Sequence, residues 1–172
     1  MKIGIISDTH DRLNMIDQAV AFFNKENTEL VLHAGDFISP FSAIRFSGLR
    51  CPVVGVFGNN DGDHRNLTAK FESFGAKVSE LLAQVEIDEK KIAILHGDRQ
   101  ELLQTVIQSS VFDLVVSGHT HAFEVKKVRD TLVMNPGECC GYLSGNCTVG
   151  IFDTESCKTL KIDLGSNECM LM

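Results

Sequence analysis

The sequence predicts an α/β fold with two β-sheets packed face to face and helices outside. Three observations carry this. Short apolar runs alternate with helix-period segments through the first half of the chain. From Phe123 onward the apolar runs come in pairs separated by turn residues. The polar residues able to do chemistry fall just past the carboxyl ends of the expected strands, where an α/β sheet gathers its loops into one crevice.

Each element has its own signal. Lys2–Ser7 is a buried-strand run, and Leu13–Asn24 carries Leu13, Ile16, Val20 and Phe23 at helical spacing. Glu29–His33 is a second strand, Pro40–Ser47 a short helix and Pro52–Phe57 a Val-rich third strand. Asp63–Phe74 is a helix stopped by Gly75. This βαβαβα rhythm implies a parallel sheet covered by helices. A hairpin of Ala83–Asp88 and Lys91–Leu95 follows, turning at Glu89-Lys90, then a helix over Gln100–Ser109 and a strand over Asp113–Ser117. Beyond these the pattern is expected to become antiparallel: Phe123–Arg129 with Leu132–Asn135, and Cys147–Asp153 with Lys158–Leu164. The 172 residues suit one domain over residues 1–165, with 166–172 expected to fray.

Composition narrows the function. Apolar residues make up 44% and charged residues 23%, ordinary for a globular protein. The formal charge of −7 argues against coating nucleic acid, because phosphate contacts need clustered Lys and Arg. No apolar run is long enough for a membrane span, and the N-terminus reads as a strand rather than a signal peptide, so a cytoplasmic protein without membrane contact is expected. The six cysteines form no CxxC pair, which sets a thiolate zinc site aside.

Five polar blocks remain: Asp8-Thr9-His10, Gly35-Asp36, Gly58-Asn59-Asn60-Asp61, His96-Gly97-Asp98 and Gly118-His119-Thr120-His121. Alone, each has an ordinary reading as a turn, a cap or a chance pair. Together they place carboxylates, imidazoles and an amide oxygen at one end of the sheets. That mixed N/O set suits Mn²⁺, Fe, Ni²⁺, Co²⁺ or Zn²⁺. It is too many donors for one ion with an open position, and it suits two ions about 3.5–4 Å apart with a bridging carboxylate. His33 lies within a strand and reads as a core or supporting histidine. His64 opens the helix after the Asn59 loop, on the surface but able to approach the site. Arg12 is left between a phosphate contact and a solvated helix face.

These five blocks, in this order, resemble the calcineurin-like metallophosphoesterase superfamily. Asn135-Pro136-Gly137-Glu138 and the following Cys139-Cys140-Gly141-Tyr142-Leu143 are similar to its small, single-domain, archaeal-type phosphodiesterase branch. The resemblance implies a four-layer αββα sandwich and a binuclear metal centre. Asp8, His10, Asp36 and His121 would hold one ion; Asp36, Asn59, His96 and His119 would hold the other, with Asp36 bridging. Two divalent ions are implied, Mn²⁺ first, with Ni²⁺, Co²⁺, Fe²⁺ or Zn²⁺ as alternatives. A water or hydroxide between them would attack a small phosphoester, most readily a phosphodiester. The branch also suggests a homodimer. Two positions depart from the family pattern. Asn60 stands where many members carry the His assigned to leaving-group protonation, and Asp98 stands where many carry a second His. Asn60 is the candidate catalytic position, yet it cannot be a general acid near neutrality. An enzyme without that acid is expected to favour acidic leaving groups, unless His64 supplies the proton. The alternative is a docking scaffold of the same fold, such as the retromer's small subunit. Against it, all seven ligand positions are occupied by ligand-type residues.

Overall fold

The computed structural model describes residues 1–165 and the backbone of 168–171. The chain runs β1 (Lys2–Ile6), α1 (Leu13–Lys25), β2 (Leu30–His33), α2 (Pro40–Ala43) continuing into a 3₁₀ turn (Ile44–Gly48), β3 (Val53–Val56), α3 (His64–Glu72) and β4 (Lys77–Ser79). It continues as β5 (Leu82–Ile87), β6 (Lys90–Leu95), α4 (Gln100–Gln108), β7 (Leu114–Val116), β8 (Phe123–Val128) and β9 (Thr131–Pro136). The chain then forms β10 (Thr148–Asp153), β11 (Lys158–Asp163) and β12 (Glu168–Leu171). Helix starts follow local chemistry. Ser39 accepts from the Phe41 N–H ahead of Pro40, and Asp63 accepts from the Asn66 N–H at the head of α3.

The strands form a seven-stranded sheet, β12-β11-β10-β1-β2-β3-β4, and a five-stranded sheet, β5-β6-β7-β9-β8. β1 to β4 are parallel, as the βα rhythm predicts. The first strand also pairs antiparallel with β10, which brings the end of the chain back to its start.

Three layers of apolar side chains separate four layers of structure. Between the sheets, Ile3, Ile5, Leu30 and Leu32 meet Ile92, Ile94, Leu114, Val116 and Met134. Outside the larger sheet, Ile16, Val20, Phe23, Phe37, Phe46 and Phe71 pack beneath the first three helices. Outside the smaller sheet, Val106 and Ile107 of α4 cover Ala93, Leu95, Val115 and Val133. Strand alternation sorts these residues to their faces. On β1, Ile3 and Ile5 point between the sheets. Gly4 points outward, where a Cβ would stand 2.7 Å from the Phe23 ring. The four-layer αββα sandwich is therefore the fold.

The structure corrects the sequence reading in four places. The first hairpin turns at Asp88-Glu89, both in left-handed backbone, one residue earlier than expected. The second half is not wholly antiparallel, because β9 runs parallel to β7 and pairs with β8 only on its far side. β4 was not expected: its three residues are too few to show a period. Where a frayed tail was expected, Glu168–Leu171 pair antiparallel with β11; residues 166, 167 and 172 lie outside the described residues.

Phe23 is fully buried and its ring fills the space above Gly4. Phe23→Ala should lower unfolding stability by about 3–5 kcal/mol through lost burial and a residual cavity. Urea unfolding at unchanged m-value measures this, and a loss below about 1 kcal/mol would refute the packing described.

Candidate metal centre

The parallel strands of both sheets end at one edge of the sandwich. Asp8 and His10 follow β1, Asp36 follows β2, and Asn59 follows β3; His96 follows β6, and His119 with His121 follows β7. The larger sheet thus contributes four of the seven residues and the smaller sheet three. Backbone hydrogen bonds tie the loops together. Asp8 N–H donates to Gly35 O at 3.0 Å, Thr9 N–H to Asp36 O at 3.1 Å, and Gly118 N–H to His96 O at 2.8 Å. Across the gap between sheets, the His119 N–H donates to Asp8 Oδ2 at 3.2 Å.

The backbone here is strained. Asp8, His10, Asp36, His119 and His121 have φ of 52°, 41°, 61°, 68° and 60°. Non-glycine residues in left-handed backbone cost about 1–2 kcal/mol each relative to their usual conformations. Two glycines give the room that lets the loops close up. A Cβ on Gly58 would collide with the Asp36 carboxylate, and one on Gly118 with Ser7 Oγ and Asp8 Oδ2.

The side chains converge. Asp8, His10, Asp36 and His121 offer ligand atoms that all lie within 4.8 Å of one another. His10 Nε2 stands 3.3 Å from Asp36 Oδ2, and His121 Nε2 stands 3.4 Å from Asp8 Oδ1. On the other side of Asp36, His96 Nε2 stands 3.5 Å from Oδ2 and 3.0 Å from Asn59 Oδ1. The His119 ring lies edge-on to His96 with centroids 5.2 Å apart.

Asp8 and Asp36 are buried carboxylates sharing this space, 0% and 1% exposed. Burial pushes the Asp8 carboxyl up. Burial also works against the charge on Asp36, but His96 and the Asn60 hydrogen bonds outweigh it and hold that carboxyl well below the usual range. His96 shows the mirror effect. Burial pulls its imidazole down, yet Asp36 and Asp8 raise it to about 9. Among the described residues, the buried side-chain atoms without a hydrogen-bond partner are Ser7 Oγ, Asp8 Oδ1 and His10 Nε2. Buried polar atoms are rarely left unpaired, and unpaired buried charge is expensive. Orphaned donor atoms converging beside two buried carboxylates fit a divalent cation.

Supporting contacts fix the imidazoles. His96 Nδ1 donates to Ala34 O at 2.7 Å, which leaves Nε2 facing Asp36. His121 Nδ1 stands 2.8 Å from Glu138 Oε2, on a fully buried carboxylate. Burial opposes that charge, but His121, Ser144 and Cys140 hold the Glu138 carboxyl down at about 2. His33 is buried as expected, 3.3 Å from Thr9 Oγ1 and accepting from the Gly35 N–H, and burial keeps its imidazole well below its ordinary range. Asn60 donates to both oxygens of Asp36, through its N–H at 2.9 Å and its Nδ2 at 2.8 Å. Arg12 sits at the head of α1, partly buried. It donates to Cys140 O and lies over the Tyr142 ring, tying α1 to the 137–145 loop.

Three residues outside the expected ligand set support the site. Asp61 accepts the N–H groups of Asp36, Ile38 and Gly58 at 3.0, 2.7 and 2.8 Å, clamping two loops with one carboxylate. Its position in the Gly58–Gly62 block hides this role, because Asp in such a block reads as a turn. Glu138 had no signal beyond its place after Asn135-Pro136-Gly137. Cys140 has Sγ within 4.8 Å of ring nitrogens of His10 and His121, and it donates to Glu138 Oε2 at 3.1 Å.

Comparisons with known proteins agree with this geometry. The calcineurin-like phosphoesterase superfamily domain matches residues 1–157. A phosphodiesterase of Methanocaldococcus jannaschii is 46% identical over 156 residues, spanning 90% of this chain and 94% of its own. The structure of an archaeal phosphodiesterase superposes with a TM-score of 0.91 at 44% identity, over 95% of this chain and 99% of that one. Vps29 of Entamoeba histolytica, solved with Zn²⁺, superposes at a TM-score of 0.76 over 100% of this chain and 97% of its own. At 19% identity that likeness shows the fold alone. By sequence, fold and the convergence of its Asp and His side chains, the chain belongs to the calcineurin-like phosphoesterase superfamily.

Proposed function

We propose that the chain hydrolyses small phosphodiesters at two divalent ions. Asp8, His10, Asp36 and His121 hold one, Asp36, Asn59, His96 and His119 hold the other, and Mn²⁺ is the first candidate. The observation that carries this is the meeting of two buried carboxylates with strained, partly orphaned imidazole donors at the joint edge of two sheets. Divalent ions bound there would supply Lewis-acid polarisation of the phosphoryl oxygens and a water acidic enough to attack. The positive charge they bring also answers the chain's −7, which would otherwise repel an anionic ester.

The chain's own residues hold the geometry. Asp36 stands between the two halves of the set, with one oxygen 3.3 Å from His10 and 3.5 Å from His96. Asn60 is a positioning residue in this reading, because both its donors are on Asp36 rather than free for a leaving group. Glu138 keeps the His121 Nδ1 proton in place so that Nε2 faces Asp8. Cytoplasmic residence and a homodimer extend the reading; no described helix is long and apolar enough to cross a membrane.

Chelation should abolish hydrolysis of a bis-nitrophenyl phosphate, and single-metal addition should restore it, Mn²⁺ best. Full activity in chelated, metal-free protein would end the proposal. Glu138→Gln should lower metal affinity or activity about 10–100-fold, as loss of a carboxylate behind a ligand histidine does elsewhere. Calorimetric metal titration reads this directly, and an unchanged isotherm would remove Glu138 from the site. Asn60→Ala should likewise weaken binding at the position bridged by Asp36, seen as a drop in metal per chain; unaltered stoichiometry and affinity would mean that Asn60 does not position Asp36.

A further inference from the structure

Beside Asn59 the structure opens a cavity of about 430 Å³, bounded by Phe57, Gly58, His64, Glu80 and Arg99. Among the described histidines His64 is the one that lines this cavity without belonging to the ligand set or the core. Its ring is fixed from two directions. It stacks on Phe57 with centroids 4.0 Å apart and planes 12° from parallel, and its Nδ1 stands 2.8 Å from Glu80 Oε2. Nε2 has no hydrogen-bond partner among the described residues, and the side chain is 39% exposed. An imidazole held by a carboxylate on one nitrogen and open on the other is the ordinary construction of a proton donor. Meanwhile Asn60, the position that would otherwise carry the acid, is hydrogen-bonded to Asp36.

We propose that this cavity receives the leaving group of the ester and that His64, oriented by Glu80, is the general acid that protonates it. This rests on the phosphodiesterase reading above. As the bond from phosphorus to the leaving oxygen breaks, its electron pair stays on that oxygen, and the Nε2 proton of His64 moves onto it. Water at the exposed edge of the ring returns the proton, and Glu80 keeps its contact with Nδ1. Glu80, Asp98 and Asp61 bound the cavity against Arg99 and the proton-donating His64. That balance favours an uncharged substituent on the phosphodiester and disfavours one carrying a further phosphate.

His64→Gln and Glu80→Gln, each saturated with Mn²⁺, test this on two diesters, one with nitrophenyl and one with alkyl leaving groups. His64→Gln should cut kcat on the alkyl ester by about 10²–10⁴-fold while nearly preserving the nitrophenyl rate, which needs no acid. Glu80→Gln should give an intermediate loss on the alkyl ester alone. Equal losses on both esters, no loss on either, or failure of the wild type to turn over the alkyl ester would overturn the assignment. In each of those cases, nitrophenyl turnover by the wild type leaves the phosphodiesterase reading standing. A wild type inert on both esters overturns the two together.

Discussion

The constraint on which this molecule turns is the burial of two carboxylates, Asp8 and Asp36, within one pocket of side chains. Two buried anions repel one another and have lost water, so the fold must supply compensation. It does so in part with hydrogen bonds: Asn60 donates twice to Asp36, and the His119 N–H donates to Asp8. The remainder comes from imidazoles: Asp36 and Asp8 raise that of His96 to about 9. Carboxylates and imidazoles that attract each other across 3.3 to 3.5 Å are poised to exchange those attractions for a shared cation. The same electrostatics that would destabilise an ordinary core thus define a cation site.

Holding that arrangement takes both sheets. A single parallel sheet would present Asp8, Asp36 and Asn59 but would have no imidazoles opposite them. The second sheet supplies those from β6 and β7, whose parallel pairing sends His96 and the His119 loop to the same edge. β9 then turns at the same edge into Gly137 and Glu138, so that a carboxylate reaches the back of His121. Left-handed backbone at Asp8, His10, Asp36, His119 and His121 is destabilising locally. It persists because the packed layers beneath, including the Phe37, Phe46 and Phe71 cluster directly under the β2 and β3 loops, over-determine the loop paths.

Much of this was legible in the amino-acid sequence, for physical reasons. Strands such as Lys2–Ile6 and Leu30–His33 are buried on both faces and so read as continuous apolar runs. Leu13–Lys25 shows its face through Ile16, Val20 and Phe23. Residue types with few structural uses at strand ends, such as His119 and His121 beside Gly118, announced the site. What stayed hidden was relational. Three-residue β4 has no period to detect, and the parallel pairing of β7 with β9 depends on a neighbour remote in sequence. Asp61 and Glu138 look like any loop carboxylate until the N–H groups and imidazole they satisfy are placed around them. His64 could not be sorted between surface and site, because Phe57 and Glu80, which fix its ring, lie on separate elements.

The docking scaffold weighed from the sequence is the competing account, and the energetics separate the two. A scaffold needs its outer surfaces and a stable core; nothing in docking requires buried carboxylates, unpaired imidazole nitrogen or left-handed aspartates. Each of those features lowers the stability of the metal-free chain. Replacing Asp8 and Asp36 with Asn would remove the buried charge without disturbing the outer faces of the sandwich. This chain instead retains orphaned Asp8 Oδ1 and His10 Nε2 beside an Asp36 that Asn60 holds and a His121 that Glu138 holds. Only a ligand that binds the folded state recovers that stability, by the linkage that makes any tightly held ion a stabiliser. The site is therefore unfavourable alone and favourable around cations.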